Sequence, residues 1–343
     1  MRRRICALIL ISLLILTSCQ KGEDKVALKK YEASFLTLFD TVTTMVGYAE
    51  SEEDFSLVAN SIHQELLEYH QLYNIYNDYE GINNIKTIND NAGVAPVVVD
   101  RKIIDLLLFC KDIYYRTDGK VNVAMGSVLS IWHDYRQRAI NNPSQAAIPD
   151  MSALEEAAKH TDIENVVIDP DASTVFLADP LMSLDVGAIA KGYATECVTN
   201  GLDTHLLISV GGNVSSSMSK PEGKDWIVGL QDPFSEMGEY NHTIKIKKGA
   251  VVTSGDYQRY YVVDGIKYHH IIDPVTLMPS SYWKSVSVVA DDSALADALS
   301  TALFLLDIED GQKLLDEYGA YAIWTDINGE EFLSSGFESV MRS

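Results

Sequence analysis

Tyr260-Tyr261-Val262-Val263-Asp264-Gly265-Ile266-Lys267-Tyr268-His269-His270-Ile271-Ile272 is the stretch on which the reading of the fold turns. Two short runs rich in Tyr, Val and Ile, Tyr260–Val263 and Tyr268–Ile272, flank Asp264-Gly265, a turn dipeptide that joins antiparallel strands. The same layout recurs where Val166–Ile168 and Thr174–Leu177 flank Asp169-Pro170-Asp171, and where Tyr321–Thr325 and Glu331–Leu333 flank Asn328-Gly329. Between the hairpins lie helical periods. Phe55, Val58, Ile62, Leu66 and Tyr69 recur every three or four residues behind Asp54, which predicts a helix over Phe55–Leu72 with Asp54 as its cap; residues 100–115 repeat that logic. Helices and hairpins alternate without a regular βαβ beat, so the expected class is α+β, with largely antiparallel or mixed sheets.

The 343 residues carry 27 Lys and Arg against 49 Asp and Glu, a formal charge of -22. That sign repels a phosphate backbone and excludes a nucleic-acid binder. A 47% hydrophobic and 22% charged composition is that of a folded chain with a real core. Arg2, Arg3 and Arg4 precede an apolar run from Ile5 to Leu16, the layout of a secretory signal and too short to span a bilayer. Leu16-Thr17-Ser18-Cys19 follows and resembles a bacterial lipobox, so residues 1–18 are expected to be removed and Cys19 to carry lipid, with residues 19–30 as a polar tether and 31–343 as one compact domain. The mature protein is then extracytoplasmic and held at the membrane by a lipid anchor. Cys110 and Cys197 read as small buried residues rather than a disulfide.

There is no G-x-G-x-x-G, no G-x-x-x-x-G-K-[ST], no H-E-x-x-H, no C-x-x-C and no G-x-S-x-G, which disfavours the Rossmann, P-loop, zincin, zinc-ribbon and α/β-hydrolase sites. Four clusters remain. Asp185-Val186-Gly187-Ala188-Ile189-Ala190-Lys191-Gly192-Tyr193-Ala194 reads as a strand-to-helix junction whose small residues either let a ligand reach the backbone or only allow close packing, with Lys191 as a cation near helix amides that favour anions. Ser209-Val210-Gly211-Gly212-Asn213 closes an apolar run with exposed amides or a plain tight turn. Thr253–Tyr261 and His269–Pro274 flank one hairpin and can meet in space; His270 is the candidate base and Asp273 a candidate carboxylate to orient it. Asp297 and Thr301, four apart in an Ala/Leu helix expected to be capped by Ser293, put a carboxylate and a hydroxyl on one face, a set suited to magnesium rather than zinc.

Taken in order, DVGAIAKGYA (185–194), SVGGN (209–213), TSGDYQRYY (253–261), HHIIDP (269–274) and ADALSTALF (296–304) resemble the ApbE family of FAD:protein FMN transferases, as do Phe39-Asp40-Thr41, Tyr73-Asn74-Ile75-Tyr76 and Val123-Ala124-Met125-Gly126. The resemblance implies an α+β fold with FAD in a central cleft. It implies magnesium-dependent transfer of FMN from FAD to a threonine or serine hydroxyl of another protein, with release of AMP. By position it makes Asp185 and Lys191 contacts of FAD, with Phe39, Tyr76, Ala124, Met125, Gly126, Ile271 and Ile272 lining the flavin nucleotide. The Ala188 carbonyl, Asp297 and Thr301 become the magnesium ligands, and His270 the base. One departure stands out: after Asp273-Pro274 the family usually has Thr-Gly, whereas this chain has Thr276-Leu277.

Two other activities fit the same residues. Water in place of the protein hydroxyl gives an FAD pyrophosphatase releasing FMN and AMP; loss of turnover gives a lipid-anchored flavin-binding protein. His270 beside the phosphates favours an enzyme. The resemblance and the export signal together point to an acceptor flavoprotein outside the cytoplasmic membrane, either a flavin-carrying subunit of an Rnf- or Nqr-type redox complex or an extracellular electron-transfer lipoprotein.

Overall fold

The computed structural model describes residues 27–235 and 239–342; the expected signal segment, Cys19 and most of the expected tether lie outside the described residues. In chain order the elements are β1 (Lys29–Leu38), β2 (Thr41–Ala49), α1 (Glu52–Leu72), α2 (Ile85–Asp90), β3 (Val97–Val98), α3 (Arg101–Arg116), α4 (Gly126–Asn141) and α5 (Met151–Ala158). There follow β4 (Val166–Asp169), β5 (Thr174–Leu177), α6 (Ala190–Thr199), β6 (His205–Val210), β7 (Asn213–Ser216), β8 (Trp226–Gln231) and β9 (Tyr240–Ile246). The chain closes with β10 (Gly249–Gly255), β11 (Tyr260–Val263), β12 (Ile266–His269), β13 (Trp283–Ala290), α7 (Ser293–Phe304), α8 (Ile308–Tyr318), β14 (Tyr321–Asp326) and β15 (Glu331–Leu333).

Eight strands form one sheet in the order β1-β2-β6-β7-β10-β13-β14-β15, antiparallel at every pairing. The class is α+β, as the hairpins imply. Two of its turns have two residues with positive φ, as a tight hairpin needs for its twist to match the strands. Gly211 (φ 58°) and Gly212 (φ 94°) join β6 to β7, so the double glycine is a tight turn. Phe39 (φ 51°) and Asp40 (φ 54°) join β1 to β2 without glycine, a strained backbone at a residue expected to line the cofactor.

The sheet buries both faces. One packs on α1, α3, α6 and α7 in the main core, built around Met45, Leu206, Ile208, Val252 and Val288. The other packs on the β8–β9 hairpin through Trp226, Val228, Ile244, Val251 and Val289. A third cluster, with Val128, Trp132, Tyr261, Ile272 and Leu277, fixes α4 to the β11–β12 hairpin and to the loop after it. Helix α7 runs inside the molecule between α6 and the sheet, which is why its sequence is alanine and leucine with few polar residues.

Local details differ from expectation where side-chain capping competes with periodicity. Helix α1 starts at Glu52 under Ser51, whose hydroxyl accepts from the Asp54 amide, because a hydroxyl one turn earlier satisfies the free amides first. Helix α7 is capped by Asp292, which accepts from the Leu295 amide at 2.8 Å, and Ser293 is its first residue. No strand precedes Asp185; the chain arrives extended, with one parallel bridge between Met125 and Ser183. Strand β12 stops at His269, and Ile272 makes only an isolated bridge to Pro279. Cys110 is buried and Cys197 half-buried, and both are free thiols.

The departure at Leu277 has a structural account. Leu277 sits at φ 59°, the left-handed conformation for which glycine is the ordinary residue. Its side chain is buried in the third cluster, and its carbonyl accepts from the Trp132 indole at 3.0 Å. The backbone cost of about 1–2 kcal/mol for an L-residue there is offset by burial of a leucine, worth about 1.5–3 kcal/mol. Leu277→Ala keeps the strain and loses the burial, whereas Leu277→Gly loses both. Chemical denaturation should therefore find the glycine variant more stable than the alanine variant by about 1 kcal/mol, although it removes more side chain.

Candidate functional site

The site lies where α6, α7, the start of α4 and the end of the β11–β12 hairpin converge. At its base, the first turn of α6 presses on α7: a Cβ on Gly192 would lie 2.3 Å from the Asp297 Cβ and 2.4 Å from the Ser293 carbonyl oxygen. Gly192 therefore serves close packing, and the approach lets its amide donate to Asp297 Oδ2 at 2.8 Å. Lys191 Nζ stands 3.9 Å from the same oxygen. Gly192→Ala has backbone on both sides and nowhere to move, so a loss of about 3 kcal/mol or more in unfolding free energy is expected by calorimetry, together with the site.

Asp297 is only 4% exposed, so its carboxylate is not a solvated surface group. Burial pushes its carboxyl above the ordinary range, opposed by Lys191, the Gly192 amide and the Asn213 side chain. The Asn213 amide nitrogen is itself buried without a hydrogen-bond partner. A buried carboxylate with one amide bond and a lysine at the edge of ion-pair range is under-compensated, since a lone buried charge needs a partner. The residues fit a hard cation: Asp297, the half-exposed Thr301 hydroxyl one turn on, and the Ala188 carbonyl just ahead of α6 are all oxygen donors. Among the described residues no group of three or more His, Cys, Asp or Glu gathers, here or elsewhere, so this donor set has a single carboxylate.

The two adjacent histidines separate clearly. His269 is buried and uses both ring nitrogens: Nε2–H donates to the Ser280 carbonyl at 2.6 Å and Nδ1 accepts from the Ile271 amide at 3.2 Å. It is structural. His270 is half-buried, and its Nδ1–H donates to the Arg259 carbonyl at 3.2 Å, which leaves the Nε2 lone pair free. Burial, then Arg259, His269, Lys191 and Arg136, push its pKa down to about 3, so the ring is neutral at any ordinary pH. Asp273 does not orient it. That carboxylate takes the Val275 amide at 2.7 Å and Lys120 at 3.3 Å.

A second chain of contacts runs from Asp185 through Tyr76 to Phe39. Tyr76, 57% exposed, bonds its hydroxyl to His133 Nδ1 at 3.0 Å, and His133 Nε2 stands 3.7 Å from Asp185, which also accepts from the Gly187 amide at 2.9 Å. Asn74 Oδ1 takes the Tyr76 amide at 2.8 Å, and its Nδ2 donates to the Tyr79 hydroxyl at 3.2 Å. Tyr79 approaches His70, whose Nδ1 accepts from the Phe39 amide at 3.1 Å. Phe39, Tyr76 and Asp185 are thus linked through residues that the sequence reading passed over. Ala124, Met125 and Gly126 are buried at the start of α4, with the Gly126 amide on the Ser183 carbonyl at 2.9 Å. Ile271 and Ile272 are buried in two different clusters and act first as packing.

His133, Arg136 and Arg259 are the further residues sequence reasoning missed. Burial and then Arg259 lower the pKa of Arg136, both arginines disfavour the charged form of His270, and among the described residues neither forms an ion pair within 4 Å. The spacing of His133 and Arg136, three apart on the face of α4 that follows Ala124-Met125-Gly126, is the signal that points to them.

The sequence model of the ApbE family matches residues 39–324. The chain belongs to the ApbE family. A FAD:protein FMN transferase of Treponema pallidum is 36% identical over 252 residues, 68% of each chain, and one of Klebsiella pneumoniae is 32% identical over 279 residues, 77% of this chain and 83% of that one. The crystal structure of the ApbE protein from Thermotoga maritima superposes with a TM-score of 0.80 at 29% identity, covering 92% of this chain and all of that one. The match to the ApbE model spans all the motifs described above from Phe39 to Phe304. The α+β architecture is that of ApbE structures.

Proposed function

We propose that the protein transfers FMN from FAD to a threonine or serine hydroxyl of an acceptor flavoprotein and releases AMP. The observation that carries this reading is a neutral imidazole with a free Nε2, standing among Arg259, Arg136 and Lys191, the last of which also faces an under-compensated buried carboxylate. A passive binder of flavin needs the cations but not the base. The names of the relatives, FAD:protein FMN transferases, support the same activity.

In this reading Tyr76, Phe39 and the start of α4 hold the flavin nucleotide, and Lys191, Arg136 and Arg259 counter the diphosphate inside a protein of charge -22. Short-range cations prevail because surface acids beyond about 8 Å are screened. Asp297, Thr301 and the Ala188 carbonyl would hold magnesium, which would neutralise phosphate charge. His270 Nε2 takes the acceptor's hydroxyl proton. That oxygen bonds to the FMN-side phosphorus, the anhydride bond breaks, and AMP leaves with the bridging oxygen. Incubation with FAD, magnesium and acceptor should give an acceptor heavier by one FMN; free FMN alone would instead indicate the pyrophosphatase, and unchanged FAD a carrier.

The arginine run, apolar segment and Cys19 support export and lipid anchoring of this domain, and with them a reading in which the acceptor lies outside the cytoplasmic membrane. An Rnf- or Nqr-type subunit or an extracellular electron-transfer lipoprotein suits that place. Labelling with a fatty-acid analogue should mark the full chain and not Cys19→Ala.

A further inference from the structure

On the sheet face away from α6 and α7, a groove of about 320 Å³ runs over β2, β6, β7 and β10 and is walled by the β8–β9 hairpin. Its floor alternates hydroxyls, Thr44, Ser209 and Thr253, with apolar side chains such as Val46. Tyr240 forms one wall, its ring lying flat on Gly229, where a Cβ would come within 2.6 Å. Among the described residues none that lines the groove is charged, although 22% of the chain is charged. An uncharged channel with hydrogen-bonding hydroxyls suits an extended neutral polypeptide better than a nucleotide.

The groove ends at the candidate site. Gly212 lines it, and the next residue, Asn213, is buried and close enough to Asp297 to favour its ionised form. Gln258 lines it, and the next carbonyl, that of Arg259, holds His270. Along β10 the alternation shows the two sides directly: Thr253 faces the groove, while Ser254 bonds to Ser300, the neighbour of Thr301, at 2.8 Å.

We infer that this groove seats the acceptor, as an extended, uncharged segment that carries its threonine or serine over the end of the sheet to His270; the inference rests on the transferase reading. The test uses the source organism lacking this gene and complemented with full-length variants, with flavin fluorescence of its proteins read in denaturing gels. Thr44→Trp and Ser209→Trp fill the groove and should lower acceptor flavinylation at least about 20-fold. In the purified variants FAD affinity should stay within about two-fold, as should the slow release of FMN to water. Thr44→Ser should behave as wild type. Flavinylation near wild type in both tryptophan variants would overturn the inference, as would parallel loss of FAD binding. If the wild-type protein itself restores no flavinylated band, the transferase reading has failed and takes the groove assignment with it.

Discussion

Asp297→Asn is expected to lose FMN transfer by about 10³-fold or more while leaving the protein as stable as before, or more so. The two effects share one cause. Burial has already raised the carboxyl's pKa, so the folded state holds this proton more tightly than the unfolded state does. The stability it contributes is complete below the ordinary carboxylate range and is lost as pH rises through the folded value, so near neutrality the ionised group costs stability. Asparagine has nearly the same shape and can still accept from the Gly192 amide, yet carries no charge to hold a cation or to draw Lys191. Steady-state rates with and without EDTA, beside denaturation midpoints, check both halves. An activity unchanged by either the substitution or EDTA would remove the cation from the account.

His270→Ala should keep FAD affinity within a few fold and lose transfer by about 10²–10⁴, the usual worth of a positioned base. The reasoning is geometric before it is electrostatic: only this member of the histidine pair has an unused nitrogen, and only it opens to the cleft. Its depressed pKa adds a second signature. Between about pH 6.5 and pH 3 the unfolded chain protonates this ring and the folded chain does not, so the wild-type protein loses stability as pH falls through that window. His270→Gln removes this titration and should flatten the midpoint-against-pH curve there. His269→Gln has a different expected outcome: a loss of stability at neutral pH, from two broken ring contacts, ahead of any loss of chemistry.

Much of this site was legible because backbone geometry forces residue type. Glycine at 211 and 212 writes a two-residue turn with positive φ, and Asp264-Gly265 writes another, so the hairpins could be read locally. Alanine-rich Ser293–Phe304 could be read as a helix with Asp297 and Thr301 on one face, whereas the burial of Asp297 is set by the packing of α6 and the sheet around it. What could not be read is set by contacts distant in sequence. Whether Gly192 served a ligand or packing depended on α7, more than a hundred positions later. Which histidine was free depended on the Ser280 and Arg259 carbonyls. Arg136 lies in a helix whose periodicity marks an amphipathic face and nothing more. Its significance comes from the absence of an acid beside it among the described residues.

The Leu277 loop shows how a departure from a family pattern is absorbed. Strain stays in the backbone at φ 59°, and the added side chain closes the cluster under Trp132, so α4 keeps the position that brings His133 and Arg136 to the cleft.

A crystal structure of the mature protein grown with FAD and magnesium tests the central claim most directly. The account predicts a metal bound by Asp297, Thr301 and the Ala188 carbonyl, with the dinucleotide's phosphates between it and the His270 ring and the flavin ring system against Tyr76. Phosphates seated elsewhere, or a cation that ignores Asp297, would contradict it.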